Sequence, residues 1–375
     1  MISNIMQIGI YIQKLIRATN RIEDPRRQWG NLRHKLVDIL VIAFCAILCG
    51  AQTYDDLELF GKARKPWLSW YLELPNSIPS ADTFERIFEL IDPQIIAKRL
   101  RKVLTSDEMF GKIIAFDGKT MRGSKNSGHR AFHVLSAFLT DDQIVIGEEI
   151  VDEKSNEITA IPQLLDEINV TGATVTIDAM GTQTKIAEKI IEKGADYVLA
   201  LKGNHADLYD DVQFYFENEL AILNKTTQDC AHGRDEIREY FLETNIGWLY
   251  NRENWAGLAA IAAVRSSVTK KGETCVETRC FLTSLTDIEQ FSRAVREHWG
   301  IENRLHWHLD VTFEEDASHF QNQNAAAVWN VLRKTALEYL KQVDPGKHVS
   351  LKSRRRLAGW DNSYLEQLLG SSSKK

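Results

Sequence analysis

Cysteine, proline and long apolar runs are scarce in this sequence of 375 residues, which has 7 prolines and 5 cysteines. No two cysteines form a Cys-x-x-Cys pair, so the pattern argues against a disulfide framework and predicts reduced thiols in a cytosolic protein. They are Cys45, Cys49, Cys230, Cys275 and Cys280. The most apolar run, 39–50, is well short of the roughly twenty residues that span a bilayer. We therefore expect a buried helix there and no membrane partner, and the N-terminus lacks the pattern of a secretory signal.

Charge is unevenly distributed along a chain whose net charge is −6. Residues 1–35 hold seven Lys/Arg against two Asp/Glu, and residues 333–375 hold ten against four, so the segment between them is strongly acidic. Basic ends around an acidic centre are typical of a protein that touches a polyanion and holds cations near phosphate. The alternative is that the ends are simply solvated.

The segment 30–106 predicts an all-helical head of four short helices. A turn before the third helix is compatible with a helix-turn-helix unit that binds DNA, and equally with an accessory helical bundle. From residue 113 the period changes: runs 113–117, 132–139 and 143–151 predict an antiparallel meander.

Helices and strands then alternate. We predict helices at 156–169, 183–193 and 205–218 around strands 173–178 and 196–201. This order favours an α/β (α+β) fold with an RNase H-like core over a doubly wound Rossmann sheet, since no strand is followed by Gly-x-Gly-x-x-Gly. Residues 219–290 are β-rich, and helices resume near Asp287.

Two aspartates follow apolar strands. Asp117 ends the run IIAFD before a glycine, and Asp178 ends ATVTID. Because the two strands are expected to be parallel neighbours, both carboxylates should meet at one edge of the sheet, where such folds bind ligands. A turn aspartate is the alternative for either residue alone.

Glu302 is the third acid, in REHWGIENRLHWHLDVTFEEDAS. On a helix, His298, Glu302 and His306 share one face, which is also a conceivable zinc pattern. We favour Mg²⁺ or Mn²⁺, because paired strand-end aspartates offer hard oxygen ligands. Clustered carboxylates need such a counter-charge, and two metals can carry out in-line phosphoryl transfer on a DNA phosphodiester. The reserve candidates for the third acid are Asp310, Glu314 and Asp316.

The motifs DGKTMRGS, IDAMGTQ, LKGNH and HWGIENRLHWHLDVTFEEDAS resemble those of the H-repeat-associated (Rhs-linked) insertion-sequence transposases, a branch of the DDE transposases. The head resembles the associated N-terminal domain of that family in DPRRQ, LCGAQTYDDLELFGKARKPWL and PSADTFERIF, so the likeness covers residues 20–345. The resemblance implies that Asp117, Asp178 and Glu302 are the catalytic, metal-binding acids. A neighbouring branch carries Tyr-x2-Arg-x3-Glu-x6-Lys, whereas this chain has Val295, His298 and Leu309 at those positions.

The resemblance also implies a domain plan. We expect a DNA-binding helical domain at 1–106, a catalytic domain at 107–345 with a β-rich insertion at 219–290, and a basic tail at 346–375. Residues expected to contact DNA lie beside the acids in the sequence, whereas Trp299 and Trp307 are expected in the core. The DNA-contacting set is Lys119, Arg122, Lys202, Asn204, His205, Asn303, Arg304 and His306, to which the run 352–356 adds non-specific phosphate contacts.

The sequence thus predicts a DNA transposase that binds the terminal inverted repeats of its element, cleaves DNA with Mg²⁺ or Mn²⁺ and joins the freed 3′ end to target DNA. We expect a homodimer on DNA, because two ends must be brought together, in the bacterial cytoplasm at the nucleoid. Two alternatives stay open: a structure-selective nuclease of the same fold, and an element-derived DNA-binding protein without catalysis.

Overall fold

The computed structural model describes residues 9–26, 32–104, 108–124, 131–151, 157–218, 223–231, 234–318, 320, 322–346 and 349–370. The N-terminal apolar segment up to residue 8 and the last five residues of the predicted basic tail lie outside the described residues. Within the described part of the chain, strands and helices form a mixed α/β structure around one large sheet.

Nine strands make up this sheet in the described residues. Their order is β3-β2-β1-β4-β5-β9-β8-β7-β6, with β2 antiparallel to β1 and β4 and β5 parallel to it. The strands are β1 (Ile113–Thr120), β2 (His133–Leu139), β3 (Ile144–Val151), β4 (Thr174–Ile177), β5 (Asp196–Leu201), β6 (Leu223–Ala231), β7 (Arg234–Glu243), β8 (Ala260–Lys270) and β9 (Glu273–Thr283).

The β-rich segment extends the same sheet. Strand β9 pairs antiparallel with β5, from Val198 opposite Thr283 to Leu201 opposite Cys280, and β8, β7 and β6 follow outward. Strand β6 has no counterpart in the sequence prediction, because its residues LNKTTQDCA are too polar to show an apolar period. The sheet therefore runs without a break from the first meander into the predicted insertion.

Helices cover both faces of the sheet. They are α1 (Ile10–Thr19), α2 (Leu36–Leu48), α3 (Tyr54–Leu68), α4 (Ala81–Leu90), α5 (Pro93–Leu104), α6 (Glu157–Glu167), α7 (Thr184–Glu192), α8 (Ala206–Glu217), α9 (Ile288–Ile301), α10 (Trp307–Val311), α11 (Gln323–Gln342), α12 (Leu351–Trp360) and α13 (Asn362–Leu368). No helix in the described ranges is both long and apolar enough to cross a membrane.

Alternation along β1 assigns its side chains to the two faces. Ile114 and Phe116 pack with α6 and α7, whereas Ile113 and Ala115 face the other side, where α9 and α11 lie. Successive strand side chains point to opposite faces, so Asp117 belongs to the α9 face.

The helical head and the C-terminal helices share one core. The apolar helix α2 is buried from Ile39 to Leu48 and packs with the long helix α11, whose Trp329 is fully buried. The chain ends also meet, because the backbone N–H of Ile12 donates to the carbonyl of Leu369. The predicted tail thus contains two packed helices, α12 and α13.

Helix α4 occupies the place of a recognition helix in the head, but its exposed face is acidic. Asp82, Glu85 and Glu89 are exposed there beside a single cation, Arg86. Such a face repels phosphate. The helix-turn-helix alternative therefore lacks the basic surface it requires on α4, which favours the accessory-bundle alternative for this part of the head.

Candidate active site

Asp117 and Asp178 lie side by side at one edge of the sheet. The parallel pairing of β1 with β4 ends with Phe116 opposite Ile177, so Asp117 on β1 and Asp178 just after β4 are the next residues along the two chains. Both line a cleft of about 240 Å³ that Glu302 also lines. The sequence places the end of β1 at Asp117, but β1 continues to Thr120 because Gly118, Lys119 and Thr120 still pair with β2.

Glu302 reaches the same cleft from the helix that crosses the sheet. Helix α9 packs on β1 and β4, and the segment Glu302–His306 widens to a π-helical turn before α10. Such turns are rare and are frequent at functional sites. The Nδ1 of His306 lies 3.2 Å from Oε2 of Glu302 and 3.5 Å from Oδ2 of Asp117.

These three side chains form a candidate metal-binding group. Donor atoms of Asp117, Glu302 and His306 all lie within 4.8 Å of one another, the one such group found among the residues described. Carboxylate oxygens with an imidazole nitrogen suit Mn²⁺, and the oxygens alone suit Mg²⁺. The donor set therefore fits a divalent cation, with Asp178 lining the same cleft.

The two carboxylates of this group, Asp117 and Glu302, have pKa values shifted in opposite directions. Burial raises the pKa of Asp117 to about 6, the negative charges of Asp178 and Glu302 add to the rise, and His306 opposes it. The hydrogen bond with His306 lowers the pKa of Glu302 below its ordinary value. Asp117 is thus the carboxylate with the greatest need of a nearby positive charge.

Asp178 begins a loop that the residues after β5 hold in place. Its Oδ1 accepts the backbone N–H groups of Met180 and Gly181 at 3.1 and 3.3 Å. The side-chain amide of Asn204 donates to the carbonyl of Ala179 at 2.7 Å, and Nε2 of His205 lies 2.6 Å from the carbonyl of Thr182. Asn204 and His205, which the sequence assigns to DNA, therefore contact the backbone that carries Asp178.

His298 does not join the metal-binding group. Its Nδ1 lies 2.8 Å from Oγ1 of Thr176 on β4, and burial lowers the pKa of this imidazole to about 4. The zinc pattern of His298, Glu302 and His306, the alternative to Mg²⁺ or Mn²⁺, is thus not formed, because the imidazole of His298 is bound to Thr176 of the sheet.

Lys119 lies in an internal ion-pair cluster. Its Nζ is 2.5 Å from Oδ1 of Asp310, 3.0 Å from Oε2 of Glu315 and 3.6 Å from Oδ1 of Asp316. Burial opposes the charged form, but these carboxylates outweigh it and raise the pKa of Lys119. The reserve acids are similarly engaged, since Glu314 pairs with Lys352.

This arrangement predicts that replacing Lys119 lowers the stability of the protein, whereas replacing the neighbouring Arg122 does not. Lys119→Met should lower the free energy of unfolding by about 2 kcal/mol, because it leaves the buried Glu315 without its closest cation. Arg122→Met should change it by less than about 0.5 kcal/mol, because that side chain is 78% exposed. Urea unfolding of both variants measures the difference. A Lys119→Met protein as stable as wild type but weaker in DNA binding would instead place the ammonium on phosphate.

The other residues assigned to DNA are more accessible. Arg122 is exposed 3.6 Å from Asp316, while Lys202 and Asn303 are exposed, with Lys202 lining the cleft. Arg304 donates to Glu297 at 2.7 Å. Lys202 thus lines the cleft with the three acids, whereas Arg122 and Arg304 are not among its lining residues.

Two residues of the cleft were missed from the sequence. Trp299 is 44% exposed and lines the cleft, so its predicted place in the core is wrong, as it is for Trp307 at 52%. Arg279 of β9 lines the cleft as well. No sequence motif signals Arg279, because it reaches the site only through the pairing of β9 with β5.

The sheet and its cluster of acids define an α/β protein with a candidate metal centre at the sheet edge. A family model described as Transposase DDE domain matches residues 108–338, and one described as DDE_Tnp_1-associated matches residues 16–103. The chain therefore belongs to the transposase family with this DDE domain, and its resemblance to the H-repeat-associated transposases is confirmed.

Relatives match nearly the whole chain. The putative transposase YncI of Escherichia coli O157:H7 is 37% identical, over 96% of both chains. The H repeat-associated putative transposase YhhI of Escherichia coli (strain K12) is 35% identical, over 96% of this chain and 99% of its own. The cryo-EM structure of a piggyBac transposase synaptic complex with hairpin DNA has a TM-score of 0.47 at 10% identity, covering 99% of this chain and 82% of that one.

Proposed function

We propose that this protein is an active DNA transposase that binds the two ends of an insertion sequence and catalyses metal-dependent DNA cleavage and strand transfer. The observation that carries the proposal is that Asp117, Asp178 and Glu302, from β1, β4 and the end of α9, line one cleft. Membership of the DDE transposase family supports the same three acids as the catalytic set.

The three acids would hold Mg²⁺ or Mn²⁺. When bound, the cation would activate water and stabilise the leaving oxygen of the scissile phosphodiester during in-line displacement. The chain's own residues set up this chemistry: His306 holds Glu302 against Asp117, and the loop bonds of Asn204 and His205 fix the backbone behind Asp178.

We also propose that β1–β5 form an RNase H-like core, with the proposed insertion 219–290 continuing from it. The order β3-β2-β1-β4-β5, with β2 antiparallel and β4 and β5 parallel to β1, supports this assignment. The domain plan of a head at 1–106, a catalytic unit at 107–345 and a C-terminal part at 346–375 belongs to the same proposal, although the head and the C-terminal helices share a core.

DNA is the proposed partner, through exposed cationic and polar side chains near the cleft. Arg122, Lys202 and Asn303 are accessible for phosphate or base contacts, and Arg304 is partly exposed. Two ends require two active sites, so we propose a homodimer on DNA acting in the bacterial cytoplasm at the nucleoid.

A donor-plasmid assay tests the proposal. Supercoiled DNA that carries both flanks of the element is incubated with the protein in Mg²⁺ or EDTA, beside a plasmid without the flanks. We expect nicking at the flanks that requires Mg²⁺, followed by joining of the freed 3′ ends to a second plasmid.

Other outcomes identify the alternatives. Metal-dependent cutting without regard to the flanks, and greater on branched DNA, would indicate a structure-selective nuclease. Specific binding to the flanks without any cutting would indicate an element-derived DNA-binding protein. A protein that neither binds nor cuts the DNA would contradict all three functions.

A further inference from the structure

A buried ion pair lies behind the strand that carries Asp117. His133 of β2 and Glu157, the first residue of α6, are each 3% exposed, and Nε2 of the imidazole contacts Oε1 of the carboxylate. Among the described residues, neither of these two atoms has another hydrogen-bond partner. Because a buried charge is costly unless a partner compensates it, each member of the pair depends on the other.

The pair lies directly against Gly118, the residue after Asp117. A Cβ atom at Gly118 would collide with Nε2 of His133 and with Oε1 of Glu157, so the backbone of β1 lies against both groups with no side chain between. The other imidazole nitrogen, Nδ1, is 3.0 Å from Oγ1 of Thr120. The pair therefore contacts β1 at two points, on the face opposite to the Asp117 carboxylate.

This part of β1 is supported by one neighbouring strand. Parallel pairing with β4 ends at Phe116, whereas antiparallel pairing with β2 continues to Thr120. Within the described ranges, β1 thus has no strand on its β4 side from Asp117 onward, and the next residue is a glycine, whose backbone has the greatest freedom. A metal-binding carboxylate at this place requires a rigid backing to stay in one position.

We propose that His133 and Glu157 are positioning residues, which act through the backbone of Gly118 to hold the Asp117 carboxylate where it binds the divalent cation. The inference rests on the proposed function, and it adds two residues that are not among those lining the cleft. Groups that orient metal ligands contribute about 10- to 100-fold to metal affinity or activity.

Two variants of the full-length protein test this role. His133→Leu leaves the carboxylate of Glu157 buried without its partner, so we expect it to lose both stability and Mn²⁺ affinity. The double variant His133→Leu/Glu157→Leu removes both charges, and apolar residues of similar volume often stabilise a protein as well as a buried ion pair does. We expect this variant to regain stability in urea unfolding, while its Mn²⁺ binding stays roughly 10-fold weaker than that of the wild type.

Electron paramagnetic resonance measures Mn²⁺ binding to the protein without DNA, so this readout does not depend on recognition of the element. Arg355→Met is the control, because its buried guanidinium donates to the carbonyls of Ile47 and Ala51 in the helical head. This variant should lose stability and still bind Mn²⁺ as tightly as the wild type. In the donor-plasmid assay, the Mg²⁺ concentration for half-maximal nicking should rise roughly 10-fold in the double variant and stay unchanged in Arg355→Met.

The outcomes separate this role from packing and from the proposed function. Mn²⁺ binding that recovers together with stability in the double variant would overturn the positioning role and leave the pair as a packing element. A wild type that binds no Mn²⁺ would overturn the positioning role as well. A wild type that binds Mn²⁺ but does not cleave the flanks would overturn the proposed function alone, because Mn²⁺ binding by the variants still decides the role of the pair.

Discussion

Asp117→Asn is expected to reduce end cleavage at least about 10³-fold, equivalent to about 4 kcal/mol of transition-state stabilisation. The amide keeps the shape of the carboxylate but removes the charge that attracts a divalent cation between Asp117, Glu302 and His306. Asp178→Asn and Glu302→Gln should lose cleavage to a similar extent. Nicking of the donor plasmid in Mg²⁺ measures all three.

The same substitution should stabilise the protein in EDTA. The folded protein raises the pKa of Asp117 to about 6, chiefly through burial, so the wild type loses stability as pH rises from about 4 through 6. Asp117→Asn removes this penalty and should raise the free energy of unfolding at pH 7 by about 1 to 2 kcal/mol, allowing for the partial exposure of the group. Glu302→Gln should not raise the free energy of unfolding. The hydrogen bond with His306 lowers the pKa of Glu302, so the folded protein already favours its charged form.

This contrast separates a catalytic defect from a folding defect. Asp210→Asn, on the exposed face of α8, is the control and should change neither property. Cleavage near the wild-type level in Asp117→Asn would contradict the catalytic assignment. Lower stability of Asp117→Asn in EDTA would contradict the electrostatic account of the site.

The sequence was sufficient to predict that Asp117 and Asp178 are neighbours, because the local pattern indicates two apolar strands and their parallel pairing. It was insufficient for Arg279, which depends on which strand β9 joins, a pairing between residues that are about 80 positions apart. The ion pairs of Lys119 could not be predicted either, because its acidic partners lie in and just after α10 and approach Lys119 only in the folded chain. Local pattern predicts elements, whereas long-range pairing decides which side chains share a site.

The contacts of the basic run 352–356 could not be predicted from local pattern either, and one of its residues, Arg355, is expected to have a large effect on stability. Arg355 is 5% exposed on α12, and it donates to the carbonyls of Ile47, Ala51 and Thr312, each at 3.0 Å. Its guanidinium also lies 4.4 Å from the Phe313 ring. A residue expected to meet phosphate instead bonds carbonyls at the end of α2 and just after α10.

Arg355→Met should therefore lower the free energy of unfolding by about 3 to 5 kcal/mol, since three carbonyls lose a charged donor and two lie near helix ends, where negative partial charge accumulates. Burial lowers the pKa of Arg355 to about 10, which still leaves it charged at neutral pH, so the donor is present throughout the folded state.

Arg356→Met is the matched control, because that neighbour is exposed, and it should change stability by less than about 0.5 kcal/mol. Urea unfolding of both proteins decides between the two roles. Equal stability with weaker DNA binding in Arg355→Met would place this arginine on phosphate, whereas a large loss confined to Arg355→Met would establish that Arg355 holds α12 against the end of α2 and the segment after α10.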